Sequence, residues 1–422
     1  MISKIKKFFY FPLAYYFRFF AQIRLSLWKP IIIVITGSSG KTTLLNLIES
    51  QIGNKAKYSH HANSSYGIPF NILGLERRTL SLLEWPVLFI LAPFKTLSPI
   101  PEEKFYIVEA DCDRPGEGKF LSTLLKPKAT LWTNSTRTHS MNFDLLVKGE
   151  FKNVEETIAY EYGFFLENTS DLIITNGDSS TIRDQLTRTR VKTKLVKGSD
   201  LLSYQVSLKN TEFETRNKIF KFDLLLPKDM FYSLMMCLKL LEYLKILPDN
   251  TFKKFKLPPS RNSVFNGIKH TTIIDSSYNA NLDSMSVILD MFGQLSPDNK
   301  WAVLGDMLEQ GKSEKEEHEK LADEVVKIKL KKIILMGPRV SEFTFPRLKK
   351  LIGEETEIKK FLRPKEVLDY ITINTDGGEL MLFKGARFLE GVIENLLLNK
   401  SEAEKLCRRE KVWQERRRKF GL

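Results

Sequence analysis

The stretch IIIVITGSSGKTTLLNLI, Ile31 to Ile48, decides the fold of the first half of the chain. Five β-branched residues in a row, Ile31 to Ile35, predict a strand buried on both faces, as at the centre of a parallel sheet. Gly37 and Gly40 permit a tight turn, and from Thr42 onward Leu44, Leu45, Leu47 and Ile48 mark an amphipathic helix. Strand, turn and helix start together aim backbone N–H groups and the positive end of a helix dipole at one point, so an anion belongs there. Lys41 would reach the terminal phosphates of a nucleotide and the Thr42 hydroxyl would sit on a magnesium ion (Mg2+), with Gly37, Ser38, Ser39, Gly40 and Thr43 lining the turn. The general loop G-x-x-x-x-G-K-[ST] needs a glycine at position 35, where Ile35 stands, so this loop is a shorter form.

A chain of 422 residues is too long for one ordinary domain and predicts two or three. Lys and Arg number 65 against 51 Asp and Glu, a formal charge of +14, which favours anionic partners: nucleotides, nucleic acid or acidic lipid surfaces. Cys112, Cys237 and Cys407 are far apart, with no C-x-x-C pair, and read as free thiols of a reducing cytoplasm without a zinc site. The opening KKFFYFPLAYYFRFFAQIRLSLW is densely aromatic, is broken by Pro12, Arg18 and Arg24, and has a start made basic by Lys4, Lys6 and Lys7. It lacks the ~20 uncharged residues of a spanning helix and the cleavage site of a signal peptide. Two readings stand: a helix lying in the membrane interface, or one packed on the domain's own surface. A second apolar run, Leu82 to Phe94, is interrupted by Glu84, Pro86 and Pro93 and is either core or an extension of the same patch. The closing CRREKVWQERRRKF reads as a basic helix or tail, solvated or facing anionic lipid or substrate.

Three further blocks stand out: HANSSYGIPFNIL from His61, YIVEADCDRPGEG from Tyr106 and ATLWTNSTRTHSMNFD from Ala129. In doubly wound folds ligands gather at the carboxyl ends of strands. Glu109 and His139 are therefore expected to converge on the loop at Lys41 as magnesium ligands, directly or through water.

In this order the blocks resemble the Mur ligases, ATP-dependent amide ligases of peptidoglycan precursor synthesis, and among them the branch that adds D-alanyl-D-alanine to a UDP-linked muramoyl tripeptide. The family's T-G-x-x-G-K-T-T is matched by Thr36 to Thr43, and its asparagine stretch before G-[VI]-P by Asn63 and Gly67-Ile68-Pro69. E-x-G-x-x-x-x-G-E is kept at Glu109, Gly116 and Glu117, with Asp111 for the first glycine, and T-N-x-x-x-x-H at Thr133, Asn134 and His139. In the carboxyl half, IIDSSYNANLDSM (from Ile273), VLGDMLEQG (from Val303, followed by His318) and LFKGARFLEGVIENLL (from Leu382) resemble the D-D-S-Y-N-A-N-P-x-S-M, V-L-G-D-M-L-E-L-G and K-G-S-R boxes. Each block alone would be an ordinary polar turn; their order carries the resemblance.

The resemblance implies that Asp275 holds the ATP ribose and that Arg261 touches the phosphates at a hinge. It implies that Asn134 lines the nucleotide and that Tyr278, Asn279 and Asn281 wall the space between nucleotide and amine. Asn63, Lys384 and Arg387 join Asn281 on the substrate side. Departures are equally visible. Tyr162 in IAYEYGFF stands where many members carry a carbamylated lysine, which puts a second metal in doubt, Ser260 replaces the hinge glycine, and Leu282 a proline. Only about 30 residues stand before Ile31, where the family has a domain for the UDP-sugar end, which leaves the carrier, UDP or lipid, open.

The expected architecture is α/β. Residues 1–29 form a basic aromatic leader, 30–257 a P-loop ATPase domain with a central parallel sheet, and 258–422 a smaller Rossmann-like domain with a basic tail. The expected reaction joins a peptidoglycan-precursor-like carboxylate to an amino acid or dipeptide amine through an acyl phosphate, using ATP and Mg2+. The expected location is the cytoplasm, with leader and tail offering peripheral attachment to an anionic membrane. Two alternatives are a non-catalytic Mur-like subunit completed by a protein partner, and a P-loop nucleic-acid ATPase. Block order argues against the second, so no nucleic acid is expected.

Overall fold

The computed structural model describes residues 10–60, 62–77, 81, 83–148, 151–386 and 388–422. Lys4, Lys6, Lys7, His61, Leu82 and the candidate Arg387 lie outside the described residues. By packing, the chain divides into two units, and the division is interleaved. The first holds the chain up to Thr136, then Leu145–Gly198 and Tyr232–Asp249; the second holds Arg137–Asp144, Ser199–Phe231 and Asn250–Leu422.

In the first unit the order is α1 (Tyr10–Trp28), β1 (Ile31–Thr36), α2 (Lys41–Ile52), β2 (Ala56–Tyr58), α3 (Gly67–Leu73), α4 (Glu84–Thr96), β3 (Phe105–Ala110) and α5 (Glu117–Leu125). There follow β4 (Ala129–Trp132), α6 (Val154–Asn168), β5 (Leu172–Asn176), α7 (Ser180–Gln185) and β6 (Lys192–Val196). The six strands make one sheet, β2-β3-β1-β4-β5-β6, with every pairing parallel. Ile33, Val34 and Ile35 are fully buried at its centre, as an unbroken β-branched run requires. Thr36 is in register with Ala110 on one side and Trp132 on the other, so the loops after β1, β3 and β4 leave the sheet level with one another.

The described part of the leader is helix α1, and its inner face is spent on this unit. Ala14, Phe17, Ala21, Leu25 and Trp28 are buried, and Phe17 lies 4.7 Å from the Phe70 ring of α3 and 4.9 Å from the Phe89 ring of α4. Buried Arg24 donates to the carbonyls of Lys95 and Ser98 (2.9 Å each) and Pro99 (2.7 Å), closing the carboxyl end of α4.

The second unit begins with a small antiparallel sheet of β7 (Ser203–Val206), β8 (Thr211–Glu214) and β9 (Ile219–Phe222). Helix α8 (Met230–Leu244) leads back into the first unit. The main sheet follows: β10 (Ser263–Asn266), β11 (Thr272–Ser276), α9 (Leu282–Gly293), β12 (Lys300–Gly305), α10 (Glu314–Val325), β13 (Lys332–Met336), α11 (Phe345–Leu351) and β14 (Glu357–Phe361). It ends with α12 (Pro364–Asn374), β15 (Leu380–Lys384), α13 (Leu389–Leu396) and α14 (Lys411–Arg418). The strand order is β10-β11-β15-β12-β13-β14, parallel except at β10. Ala302 and Leu304 of β12 enter the core with α9 and α10, whereas Trp301 and Val303 enter the one with α12 and α13. Both faces are thus covered, which makes the sheet Rossmann-like.

The basic tail is less free than its composition suggests. Arg409 pairs with Glu394 at 2.6 Å, and Arg417, only 4 % exposed, lies within 3.7 Å of Glu390, so α14 is docked on α13. Cys112, Cys237 and Cys407 are all buried, and burial pushes each thiol above its ordinary pKa.

Candidate active site

The phosphate-type loop is built by its neighbours. Gly37 has φ 127°, and a Cβ there would come within 2.3 Å of the Thr133 hydroxyl and 2.7 Å of the Asn134 carbonyl, so both conformation and space demand glycine. The Thr133 hydroxyl donates to the Ser39 carbonyl (2.7 Å), the Ser39 N–H to Asn134 Oδ1 (2.8 Å), and the Ser38 hydroxyl to the Thr136 carbonyl (2.8 Å). Asn134 therefore acts first as a clamp on the loop. Gly40, φ 80°, turns the chain into α2, whose first turn presents Thr42 and Thr43 half-buried.

Lys41 is 6 % exposed; its Nζ donates to the Gly37 carbonyl at 2.5 Å and lies 2.7 Å from Asp111 Oδ2. Burial alone pushes its pKa down, but Asp111, Glu109 and Asp113 outweigh burial and hold the amine charged. Glu109 near the end of β3 is 9 % exposed and belongs to this group, and the Asp111 N–H donates to the Asn63 carbonyl (2.8 Å), which brings the asparagine block against the loop. The chemistry assembled here is an ammonium beside carboxylates at the mouth of a glycine loop.

Two departures from the family pattern meet one another. Tyr162, fully buried on α6, donates its hydroxyl to Asp111 Oδ1 at 2.8 Å. The tyrosine for the usual lysine is thus bonded to the aspartate for the usual glycine, and that aspartate pairs with Lys41. Glu161 works from the same helix: its carboxylate accepts the N–H groups of Gly116 (2.8 Å) and Gly118 (3.0 Å). Burial raises the Glu161 pKa, against the pull of those two bonds. A Cβ on Gly118 would lie 2.0 Å from the Glu161 carbonyl, so the close approach of α5 to α6 at that point needs glycine.

Sequence reasoning missed Tyr10. Its hydroxyl donates to Glu117 Oε1 at 2.6 Å, where the Ser65 hydroxyl also donates (2.8 Å), while the Asp113 N–H takes Oε2 (2.9 Å). Arg114 stacks 3.7 Å above the Tyr10 ring. The leader thus reaches the loop that follows Glu109. No pattern marks this, because a tyrosine in an aromatic run carries no signal of its partner.

In the second unit, Arg261 stacks at 4.0 Å on the half-exposed Tyr278 ring, which brings these two candidates together. Asp275 is fully buried and already accepts from the Ser260 hydroxyl (2.7 Å) and the Ser277 hydroxyl (2.6 Å) and N–H (3.0 Å). Burial raises its pKa, opposed by those bonds. Lys384, 3 % exposed, donates to the Asn279 carbonyl at 3.4 Å, and burial, helped by Arg261, pushes its pKa down to about 7. Asn281 caps α9, accepting from the Ser284 N–H (2.9 Å) and donating to the Arg137 carbonyl (3.0 Å). His139 packs with this unit, and its Nδ1 lies 2.6 Å from Glu309 Oε2. Fully buried His318 accepts the Met307 N–H at Nε2 (3.1 Å) and donates from Nδ1 to the Glu314 carbonyl (2.7 Å), neutral because burial lowers its pKa.

Ser260 stands in left-handed backbone, φ 57°, where glycine is at ease. Ser260→Ala keeps that strain and removes a bond from buried Asp275, so it should cost about 2–3 kcal/mol. Ser260→Gly loses the same bond but regains about 1 kcal/mol of backbone strain. Urea unfolding of the pair should show the alanine variant as the weaker; the reverse order would mean that the left-handed backbone at position 260 carries no strain, and an alanine variant as stable as the wild type would mean that the bond to Asp275 contributes nothing.

A cavity of about 550 Å³ opens at the carboxyl ends of the second sheet, between Asp306, Arg339 and Ala386 and the Arg416, Lys419 and Phe420 side chains. Its walls come from the segments that follow β12 (Asp306), β13 (Gly337), β14 (Leu362) and β15 (Ala386), at the carboxyl ends where ligands gather in such sheets.

Comparison with known proteins agrees with the fold. The Mur ligase middle-domain model matches residues 35–232 and the Mur ligase, glutamate ligase domain model matches 260–387. A UDP-N-acetylmuramoyl-tripeptide–D-alanyl-D-alanine ligase of Borreliella burgdorferi is 23 % identical over 84 % of this chain and 72 % of its own, and the one of Bacillus subtilis 23 % over 87 % and 76 %. The MurF ligase of Thermotoga maritima, solved in complex with ADP, shares the fold with a TM-score of 0.71 at 21 % identity, covering 93 % of this chain and 84 % of that one. MurF of Acinetobacter baumannii gives 0.70 at 18 % identity, over 89 % and 78 %. With two family domains in succession, each carrying its ordered boxes, the chain belongs to the Mur ligase family of ATP-dependent ligases.

Proposed function

We propose that this ligase joins a muramoyl-peptide carboxylate to the amine of D-alanyl-D-alanine or a related dipeptide, as the names of its relatives suggest. The observation that carries the nucleotide half is the buried Lys41 held at the mouth of the glycine loop. The γ-phosphoryl group of ATP passes to a carboxylate oxygen of the acceptor and ADP leaves. The amine nitrogen then attacks the acyl carbon, phosphate departs and the nitrogen sheds a proton. Lys41 opposes the charge on the moving phosphoryl group, which is electrostatic work by a fixed ammonium. The Thr42 hydroxyl and the Glu109 and Asp111 carboxylates are hard oxygen donors that suit magnesium, which would neutralise phosphate charge there. We propose His139, the histidine of the T-N-x-x-x-x-H block, as a further magnesium ligand. We assign the amine substrate to the cavity of the second unit, where Arg339, Arg416 and Lys419 match its carboxylate. We place the enzyme in the cytoplasm, peripheral to the inner face of the membrane.

A ligation screen scored by mass tests this reading: ATP, magnesium, UDP-linked or lipid-linked muramoyl tripeptide, and D-alanyl-D-alanine or other amines. A product heavier than the acceptor by the amine less one water, with ADP and phosphate released, is expected. ATP hydrolysis that ignores every acceptor–amine pair would overturn it.

Lys384 supplies a pH signature. With its pKa near 7 in the free protein, a nearby phosphate favours the charged form and raises that pKa. ADP binding between about pH 7 and 8.5 should therefore take up a proton, read as a dependence of the calorimetric heat on buffer ionisation enthalpy. Lys384→Met should erase that dependence; an unchanged dependence would mean that the nucleotide phosphates do not reach Lys384, a substrate-side candidate.

A further inference from the structure

Surface helices of globular proteins turn polar residues outward. Helix α4 does not. Its inner face buries Leu88, Ala92 and Thr96, yet its outer face, with the residues that cap its two ends, is also apolar: Leu83, Val87, Ile90, Phe94 and Leu97 are 85, 55, 64, 70 and 80 % exposed. At 100° per residue these five fall on one side, with Leu91 beside them. Exposed apolar stripes of this length mark an interaction surface. The stripe is a convex ridge, and none of those six side chains carries a hydrogen-bond donor or acceptor, whereas protein interfaces carry about one hydrogen bond per 100–200 Å². Its natural counterpart is hydrocarbon.

Charge selects the kind of surface. Helix α1 runs beside α4 in the same direction: Tyr16 bonds the Phe89 carbonyl near one end, and Arg24 bonds the Lys95 and Pro99 carbonyls at the other. Lys95 and Lys29 lie where the two helices finish, and the chain carries +14 overall. An apolar ridge flanked by cations is the pattern of a segment lying in an anionic lipid interface. Thirteen residues make a helix of about 20 Å, too short for a hydrocarbon layer of about 30 Å. Among the described residues no helix is long and apolar enough to cross a membrane.

We propose that the outer face of α4, rather than the leader whose inner face is already buried, is the wedge by which this protein sits on an anionic lipid bilayer. The proposal rests on the peripheral placement given above and is independent of the ligase chemistry. Flotation of the full chain with phosphatidylcholine–phosphatidylglycerol vesicles, with phosphatidylcholine alone, and with Ile90→Asp/Phe94→Asp tests it. The wild-type chain should float with the anionic vesicles and lose binding as salt rises. The double variant should bind at least tenfold less, with unchanged melting temperature and unchanged ATP hydrolysis in solution. Phe94→Trp gives a second reading, a blue-shifted emission on vesicles. Equal flotation of the double variant would overturn the proposal, as would a wild-type chain that ignores both vesicles. A wild-type dimer that the double variant dissociates, without vesicle binding, would assign the ridge to a second copy instead. Ligation measured on the same samples keeps a failed flotation apart from a failed enzyme assignment.

Discussion

Lys41→Ala should abolish ATP turnover, with a loss of about 10³-fold, because the ammonium it removes is the fixed charge meeting the terminal phosphates. The buried pair with Asp111 at 2.7 Å makes the variant informative in a second way. Removing one partner of a buried ion pair leaves the other unpaired, a cost of about 3 kcal/mol, so the melting temperature should fall as well. Lys41→Ala/Asp111→Asn should recover the stability and none of the turnover. That split separates a lost fold from a lost charge. Near-normal ATPase activity in the single variant would sink the assignment of the loop.

Asp111→Ala should be the next most damaging change, at about 10²-fold in turnover, with a raised magnesium requirement. It deprives Lys41 of its ion-pair partner and orphans the Tyr162 hydroxyl, which is fully buried. Tyr162→Phe leaves the carboxylate in place, its Oδ1 still accepting the Cys112 N–H (2.9 Å), but removes the hydroxyl's bond to it. A hydrogen bond to a charged group is worth about 1.5–3 kcal/mol, so a loss of about tenfold is expected. Because tyrosine forms no carbamate, added bicarbonate should change the rate of neither the wild type nor these variants. A bicarbonate-dependent rate would mean that a group other than Tyr162 forms a carbamate.

The loop at Gly37 to Lys41 was legible because it rests on local rules: a β-branched run, two glycines and a helix start. The second sheet was legible through ordered boxes rather than periodicity. What escaped was long-range. Tyr10 meets Glu117 across 107 positions, and Tyr162 meets Asp111 across 51. Read singly, Tyr162 for lysine and Asp111 for glycine look like two losses; only the fold shows one hydroxyl bonded to the other's carboxylate. Asp275 and Asn281 were singled out for ligand contact, and the structure adds duties that composition cannot reveal, a buried anchor for Ser260 and Ser277 and a helix cap. The leader posed a choice between lipid and protein that an amphipathic pattern cannot make, since both solvents reward the same burial.

The three buried cysteines make this chain well suited to site-directed labelling. With every native thiol out of solvent and its ionisation suppressed, thiolate chemistry at neutral pH should spare all of them. A cysteine engineered onto the exposed surface of each unit would then be the only one to take a maleimide dye. Energy transfer between two such dyes could follow nucleotide-driven movement in the wild-type background, with no cysteine-free parent to build first.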